Sequence, residues 1–483
     1  MKRKICMLII AMIVSISGAI SAQSIIGDVA LKIEEVINKA VELERFSGCV
    51  LVANEGKVLF SRAYGEADKD FHIKNALDTK FNVASVTKTF TAVSIMILAQ
   101  KGLLNVNDAV IKYLPDFPFG DKITIYHLLT HTAGFGDYEE DPDYLVNMHN
   151  IKSLAGILEI IYKRKLLFDE PGTQKIYSNS GAVILGAVIE KVSGSSYSEF
   201  LRQNIFIPLG MKNTVYASPD EIIENRAVGY VRQYSGKFKN TIHVVIPASS
   251  ATGLTTTVGD LLVYDQALYG NKLIDDEHKK IIFTQFIYDQ EDENPYACLW
   301  EVRSKFNNKI YGHSGRQVGF NSRFYRYNDD KYTIIILSNY DYGAESIYSR
   351  IEAIVFGKEY TLPGITADVF LYSLIKKDGF DSVEKDFSKI LENNNYKIPS
   401  PGSLNTVGYN LIEEGDIQMA ISFFRLNVKL FPDDANAYDS LGEAYMISGK
   451  KESAIENYKK SFELDPSNTN AIKKIELLEE TSK

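Results

Sequence analysis

Residues 81–102 read FNVASVTKTFTAVSIMILAQKG, and the fold turns on how this stretch is read. Thr87 to Gln100 has the length and apolar content of a buried helix, and Lys101-Gly102 supplies a stop, with Gly just past the last helical residue. Ser85 and Lys88 stand three apart at its start, a spacing that places both on one helical face. A serine hydroxyl is a poor nucleophile until a base takes its proton, and a helix N-terminus offers backbone N–H groups to a developing oxyanion. The S-x-x-K pattern supplies both needs. Alone it is weak, because Ser at a helix start is commonly a cap and Lys one turn later a solvated side chain.

Two later stretches give it company: Tyr177-Ser178-Asn179 ahead of an apolar helix from Ala182 to Val192, and Gly312-His313-Ser314-Gly315 among strands. The order S-x-x-K, Y-x-N and a strand-borne K-T-G-like triplet, here H-S-G, resembles the serine β-lactamase and penicillin-binding protein superfamily, in particular its class C branch. Further stretches agree with that branch: Phe81 to Ser85, His127 to Phe135, Phe206 to Met211 and Ala251 to Asp260. The resemblance runs from about Val29 to Val355. It implies that Ser85 Oγ attacks an acyl carbonyl, that Lys88 and Tyr177 share the general-base work, and that Asn179 orients the substrate or Lys88. It also implies an oxyanion hole from the backbone N–H groups of Ser85 and Arg316, with His313 and Gly315 on the substrate side.

A free lysine titrates at about 10.4, so Lys88 can serve as a base at neutral pH only if burial or a neighbouring cation lowers that value. The family's Lys in K-T-G is a permanent cation near substrate carboxylates, whereas the histidine found here titrates at about 6.5. Related esterases and D-amino-acid-specific peptidases carry His-x-Gly at this point. The resemblance therefore implies an esterase or D-amino-acid peptidase rather than an efficient β-lactamase. Trapping and turnover are not separated by sequence, and a non-catalytic or slowly acylated penicillin-binding-type receptor, recruiting a partner through its C-terminal repeats, is the alternative.

Outward from these motifs, Val29 to Leu43 reads as an amphipathic helix, and Cys49 to Ala53 with Val58 to Ala63 form a hairpin signature around Asn54-Glu55-Gly56. Helical patterns dominate from Thr87 to about Leu268. Strands return at Lys309 to Tyr311, Ser322 to Tyr327 and Tyr332 to Ser338. Strands from both ends around a helical middle predict an α+β fold: an antiparallel sheet with flanking helices and an inserted helical lobe, spanning 23–358. Substrate specificity is expected in the lobe's loops, between about Phe135 and Phe168.

Beyond that, self-comparison finds a repeat with an offset of 34 residues. Gly408 matches Gly442, Gly415 matches Gly449, Ala420 matches Ala454, Phe424 matches Tyr458 and Pro432 matches Pro466. These positions resemble the tetratricopeptide repeat. The expected all-α module covers 403–483 with Ala471 to Glu480 as a closing helix, after a helical linker or degenerate copy at 359–402 that ends in a turn at Pro399-Ser400-Pro401-Gly402. Such a module offers a surface to a protein partner.

The remaining features bound the class. The 483 residues, 45% hydrophobic and 24% charged, suit a folded protein of several units, and a formal charge of -9 argues against a nucleic-acid partner. Lys2, Arg3 and Lys4 ahead of Ile5 to Val14 and small residues near Ala22 read as a secretory signal peptide, 1–22, so a periplasmic or extracellular protein with no membrane span after cleavage is expected. Cys49 and Cys298 read as buried and unpaired. His127 and His131 have the i, i+4 spacing of a zinc pair, yet no Glu follows His127 and no third ligand is evident; neither a metal nor an organic cofactor is expected. Gly312 to Arg316 also imitates a G-x-S-x-G elbow with Ser314 as nucleophile, but its fifth residue is Arg and the chain continues as strand.

Overall fold

The structure is a computed structural model that describes residues 27–480 apart from 152, 217–220, 243, 245 and 285–294. The candidate signal segment at 1–22 lies outside the described residues. Contacts divide the chain into two compact units, one running through Val231 and then from Phe238 to Pro363, the other made of Arg232–Lys237 and Gly364–Lys483.

The first unit is built on a six-stranded sheet in which every neighbour is antiparallel. Its order is Glu301–Lys305, Asn308–Gln317, Phe320–Tyr327, Tyr332–Ser338, Gly48–Asn54, Lys57–Tyr64. The two sequence ends meet where Gly48 pairs with Ser338 and Asn54 with Tyr332. Successive side chains of a strand point to opposite faces, and here both faces are covered. Cys49, Leu51, Phe324, Ile335 and Leu337 join the core around helix Thr87–Gln100, while Val50, Val52, Tyr325, Ile334 and Ile336 pack under the helices at 27–42 and Gly343–Val355. Double coverage explains why these strands read as nearly continuous apolar runs.

Helix Thr87–Gln100 has the bounds its sequence predicts, and its residues from Thr87 to Leu98 are all buried. The middle of the unit, where helical patterns dominate the sequence, also carries short strands. A three-stranded sheet joins Phe81–Asn82, Leu254–Thr256 and Val215–Tyr216, and a separate hairpin pairs Tyr230–Arg232 with Phe238–Asn240. Segments of two or three residues carry no period of their own. The edge strand Glu301–Lys305 is a second element absent from the sequence reading. Cys49 and Cys298 are buried and free, and burial pushes both thiols up to about 12.

The second unit is helical. Pro401–Glu413 with Ile417–Leu430 and Ala435–Ile447 with Lys451–Leu464 form two successive pairs, closed by Thr469–Glu480 and preceded by Ala367–Asp378 and Phe380–Asn393. A Cβ on Gly408 would lie 2.4 Å from the Phe424 ring, and one on Gly442 3.0 Å from Tyr458. The 34-residue spacing thus records one close contact made twice. The turn expected at Pro399 to Gly402 is shorter than read: Ser400 is the N-cap and Pro401 the first helical residue. Proline's missing N–H costs nothing at that position and its fixed φ suits the helix. Among the described residues, no helix is long and apolar enough to cross a membrane.

Candidate active site

Ser85 sits in the 3-10 turn Ala84–Val86 that leads into helix Thr87–Gln100. Ala84 is held at φ 46°, in the left-handed region that disfavours a Cβ, and its N–H donates to Asn82 Oδ1 at 2.8 Å. A strained residue beside a reactive one is a recurrent feature of functional sites.

Lys88 lies one turn on and is fully buried. Its Nζ donates to Ser85 Oγ at 2.9 Å and to the Ala251 carbonyl at 3.1 Å. Burial penalises the ammonium form and lowers the Lys88 pKa to about 7, although Glu139 and Asp137 pull the other way. Tyr177 reaches the same oxygen from another element, its hydroxyl donating to Ser85 Oγ at 2.9 Å. Its phenol is pushed up, chiefly by burial, so it stays protonated and available as a donor. The Tyr177 ring lies 4.7 Å from the His131 ring and 5.0 Å from Lys88 Nζ.

Asn179 is the first residue of helix Asn179–Ser193, and the N-cap is Ser178, whose Oγ accepts from the Gly181 N–H. The Asn179 amide donates to Asp137 Oδ2 at 2.6 Å, and among the described residues its own Oδ1 has no hydrogen-bond partner. Among the described residues Asn179 makes no hydrogen bond to Lys88 or Ser85; Asp137 is its partner instead.

The H-S-G triplet lies on strand Asn308–Gln317. A Cβ on Gly315 would fall 2.2 Å from the Val83 carbonyl oxygen and 2.2 Å from Ser322 Oγ, so only glycine lets this strand close on the turn that carries Ser85. Ser322 Oγ donates to the same Val83 carbonyl at 2.9 Å. Backbone groups along a strand alternate in direction. The Gly315 carbonyl accepts from Asn321 Nδ2 on the neighbouring strand, while the Ser314 N–H points the other way to Glu301 Oε1 at 2.9 Å. By that alternation the Arg316 N–H shares the outward direction, beyond the reach of Glu301–Lys305, whose pairing ends at Gly312. The Arg316 guanidinium is taken up by Asp341 and the Tyr342 ring.

His313 is 2% exposed and its pKa is lowered to about 4, by burial first, against the opposing pull of Glu301. Its Nδ1 lies 2.5 Å from the Ser314 carbonyl, which can only accept. The neutral ring therefore carries its proton on Nδ1. Where the resemblance places a cation, this chain holds an uncharged imidazole.

His127 and His131 do not share a helical face. The helix Ile125–Leu129 ends before His131, which adopts φ 60° and accepts at Nδ1 from the Ser178 N–H. Ser314 Oγ is bonded to Glu301 at 2.6 Å on a continuous strand, so no nucleophile elbow forms there. Asp137, Glu139, Glu301 and Tyr296, whose ring lies 5.9 Å from those of Tyr177 and His313, stand at the candidate site and are absent from the sequence reading. The acids stand in a 3-10 turn and at a strand end with no diagnostic spacing.

A family model described as Beta-lactamase matches residues 33–356, and one described as Tetratricopeptide repeat matches residues 435–468. The chain belongs to the Beta-lactamase family. It is similar to a penicillin-binding protein of Bacillus subtilis (strain 168), 33% identical over 345 residues that make up 68% of this chain and 76% of that protein. Among solved structures, a penicillin binding protein from Bacillus halodurans is 26% identical with a TM-score of 0.62, covering 66% of this chain and 98% of that one. A D-stereospecific amidohydrolase from Streptomyces sp., at 23% identity and TM-score 0.59 over 68% of this chain and 99% of its own, shows the shared fold. Membership of the Beta-lactamase family makes this chain one of the β-lactamase-fold serine hydrolases, with tetratricopeptide repeats at its C-terminus.

Proposed function

We propose that the chain is an exported hydrolase that forms an acyl-enzyme on Ser85, acting on uncharged esters, amides or short peptides in preference to β-lactams. The observation that carries this reading is the convergence of Lys88 Nζ and the Tyr177 hydroxyl on Ser85 Oγ, each at 2.9 Å. With a pKa of about 7, Lys88 is largely unprotonated just above neutrality and can accept the Oγ proton as Oγ bonds to the substrate carbonyl. The N–H groups of Ser85 and Arg316 are the donors for the oxyanion, an interaction worth about 3 kcal/mol per donor in comparable sites. Tyr177 returns a proton to the leaving alkoxide or amine and is replenished from Lys88. Water then hydrolyses the ester on Ser85.

The preference for uncharged substrates rests on charge. His313 is neutral and buried, so it offers no fixed cation to a substrate carboxylate at the position where the family carries one. Export is supported by the Lys2 to Ala22 segment, and a protein partner for the repeats by their paired-helix build.

The deciding experiment is intact mass after treatment with a fluorophosphonate, beside a Ser85→Ala control, followed by p-nitrophenyl ester and nitrocefin rates under matched conditions. One adduct on the Ser85 peptide and a faster ester rate are expected. No adduct would favour the receptor, and a faster nitrocefin rate would overturn the substrate preference.

A further inference from the structure

Glu301 is not part of any of the three motifs, yet it is the most heavily engaged carboxylate near the site. It is 9% exposed. Its Oε1 accepts from the Ser314 N–H at 2.9 Å and from Ser314 Oγ at 2.6 Å. Its Oε2 accepts from the Tyr325 hydroxyl at 2.5 Å and from Arg303 at 2.6 Å. His313 Nδ1 lies 3.6 Å from Oε1. Burial works against the anion, but His313, Arg303, Ser314 and Tyr325 outweigh it and hold the Glu301 pKa at about 2.

The position matters because of where the edge strand stops. Backbone pairing between Glu301–Lys305 and Asn308–Gln317 ends at the Glu301 and Gly312 pair, leaving Ser314 and Arg316 with outward N–H groups and no partner strand. The Glu301 side chain continues the ladder for one step by taking the Ser314 amide. The next outward amide along the strand is that of Arg316. The same Ser314 residue supplies the carbonyl that fixes His313 as its Nδ1–H form. One carboxylate thus holds the residue from which both neighbouring site groups take their orientation.

We propose that Glu301 is a positioning residue for acyl transfer, tying off the Ser314 amide so that the Arg316 N–H is presented as oxyanion donor beside a neutral His313. The inference rests on the reading of Ser85 as nucleophile. A loosened donor weakens transition-state binding more than substrate binding, so the loss belongs in kcat. Glutamine at 301 can still accept from Ser314 but turns an NH2 donor towards Tyr325 and Arg303, and alanine leaves Ser314 without a partner.

The test is ester hydrolysis by the full chain with Glu301→Ala, which leaves the Ser314 amide without its acceptor, beside Glu301→Gln, which keeps one. Glu301→Ala should lower kcat about 10- to 100-fold with KM within about threefold, and Glu301→Gln should recover most of that loss. An effect confined to KM, a Glu301→Ala kcat within twofold of the parent, or a Glu301→Gln as slow as Glu301→Ala would overturn the proposal. Should Glu301→Ala fail to fold, Glu301→Asp decides, because its carboxylate is one methylene short of the Ser314 amide: a lowered kcat at constant KM and melting temperature supports the role, and parent-like kcat overturns it. A parent that neither labels on Ser85 nor turns over an ester sinks the hydrolase reading itself, a failure distinct from a working parent indifferent to residue 301.

Discussion

Lys88 Nζ bonds to Ser85 Oγ at 2.9 Å and to the Ala251 carbonyl at 3.1 Å, so both of its hydrogen-bond partners are neutral. A buried amine without a bonded anion is held away from its ordinary charge state, and that sets the first test. Activity should fall as pH drops through about 7, where Lys88 becomes protonated. Lys88→Arg should lose turnover by about 1000-fold or more, because a guanidinium cannot give up its proton. The folded pKa lies below the unfolded one, so the unfolded state binds more protons between them and stability rises with pH over that window. Lys88→Met should therefore melt about 2 °C or more above the parent at pH 7 while hydrolysing nothing. A lower melting temperature would contradict the buried-amine account.

Glu139 offers a way to move that acid limb without touching the nucleophile. Its carboxylate raises the Lys88 pKa against the larger effect of burial, so Glu139→Gln should shift the limb to lower pH. A shift of about one unit is the scale expected for a nearby opposite charge, and the ratio of kcat/KM at pH 6 to that at pH 8 would register it. An upward shift would mean the field has the other sign.

Tyr177→Phe removes one hydroxyl and leaves the ring packed on His131. A general acid–base group of this kind contributes about 100- to 10,000-fold. The expected result is a loss of that size in kcat/KM for esters, with the melting temperature within about 2 °C of the parent.

Gly315→Ala addresses the closeness of strand and turn. The added methyl meets the Val83 carbonyl and Ser322 Oγ at 2.2 Å, and backbone cannot retreat cheaply. Gly364→Ala meets nothing within 4 Å and serves as control. The first should cost about 1–3 kcal/mol in denaturant titrations and most of the activity; the second should change neither.

The parts of the site visible in sequence are those tied to regular elements. Ser85 and Lys88 show through because a helix start fixes their spacing, Tyr177 because it lies just ahead of helix Asn179–Ser193, and His313 because its triplet ends in a glycine that the strand needs for close approach. Asp137 and Glu139 enter from a short turn whose place is set by tertiary bonds, such as Ser180 Oγ accepting from the Tyr138 N–H. Glu301 opens a strand reading Glu-Val-Arg-Ser-Lys, which has one apolar residue and no alternation to betray it. In the fold, the six-stranded sheet was legible through its apolar runs except at that edge. The strands Val215–Tyr216 and Leu254–Thr256 are too short for any period. Pro401, expected within a turn, opens a helix instead.

The glycine and aromatic contact that recurs between Gly408 with Phe424 and Gly442 with Tyr458 has a consequence for engineering. Each such contact lies between the two helices of one pair, so residues 435–468 carry their own internal seat. A duplicate inserted after Asn468 would bring its glycine and tyrosine with it, and the surface left to redesign is the one between pairs, where Asn405 donates to Ser440 and Tyr409 to Glu443.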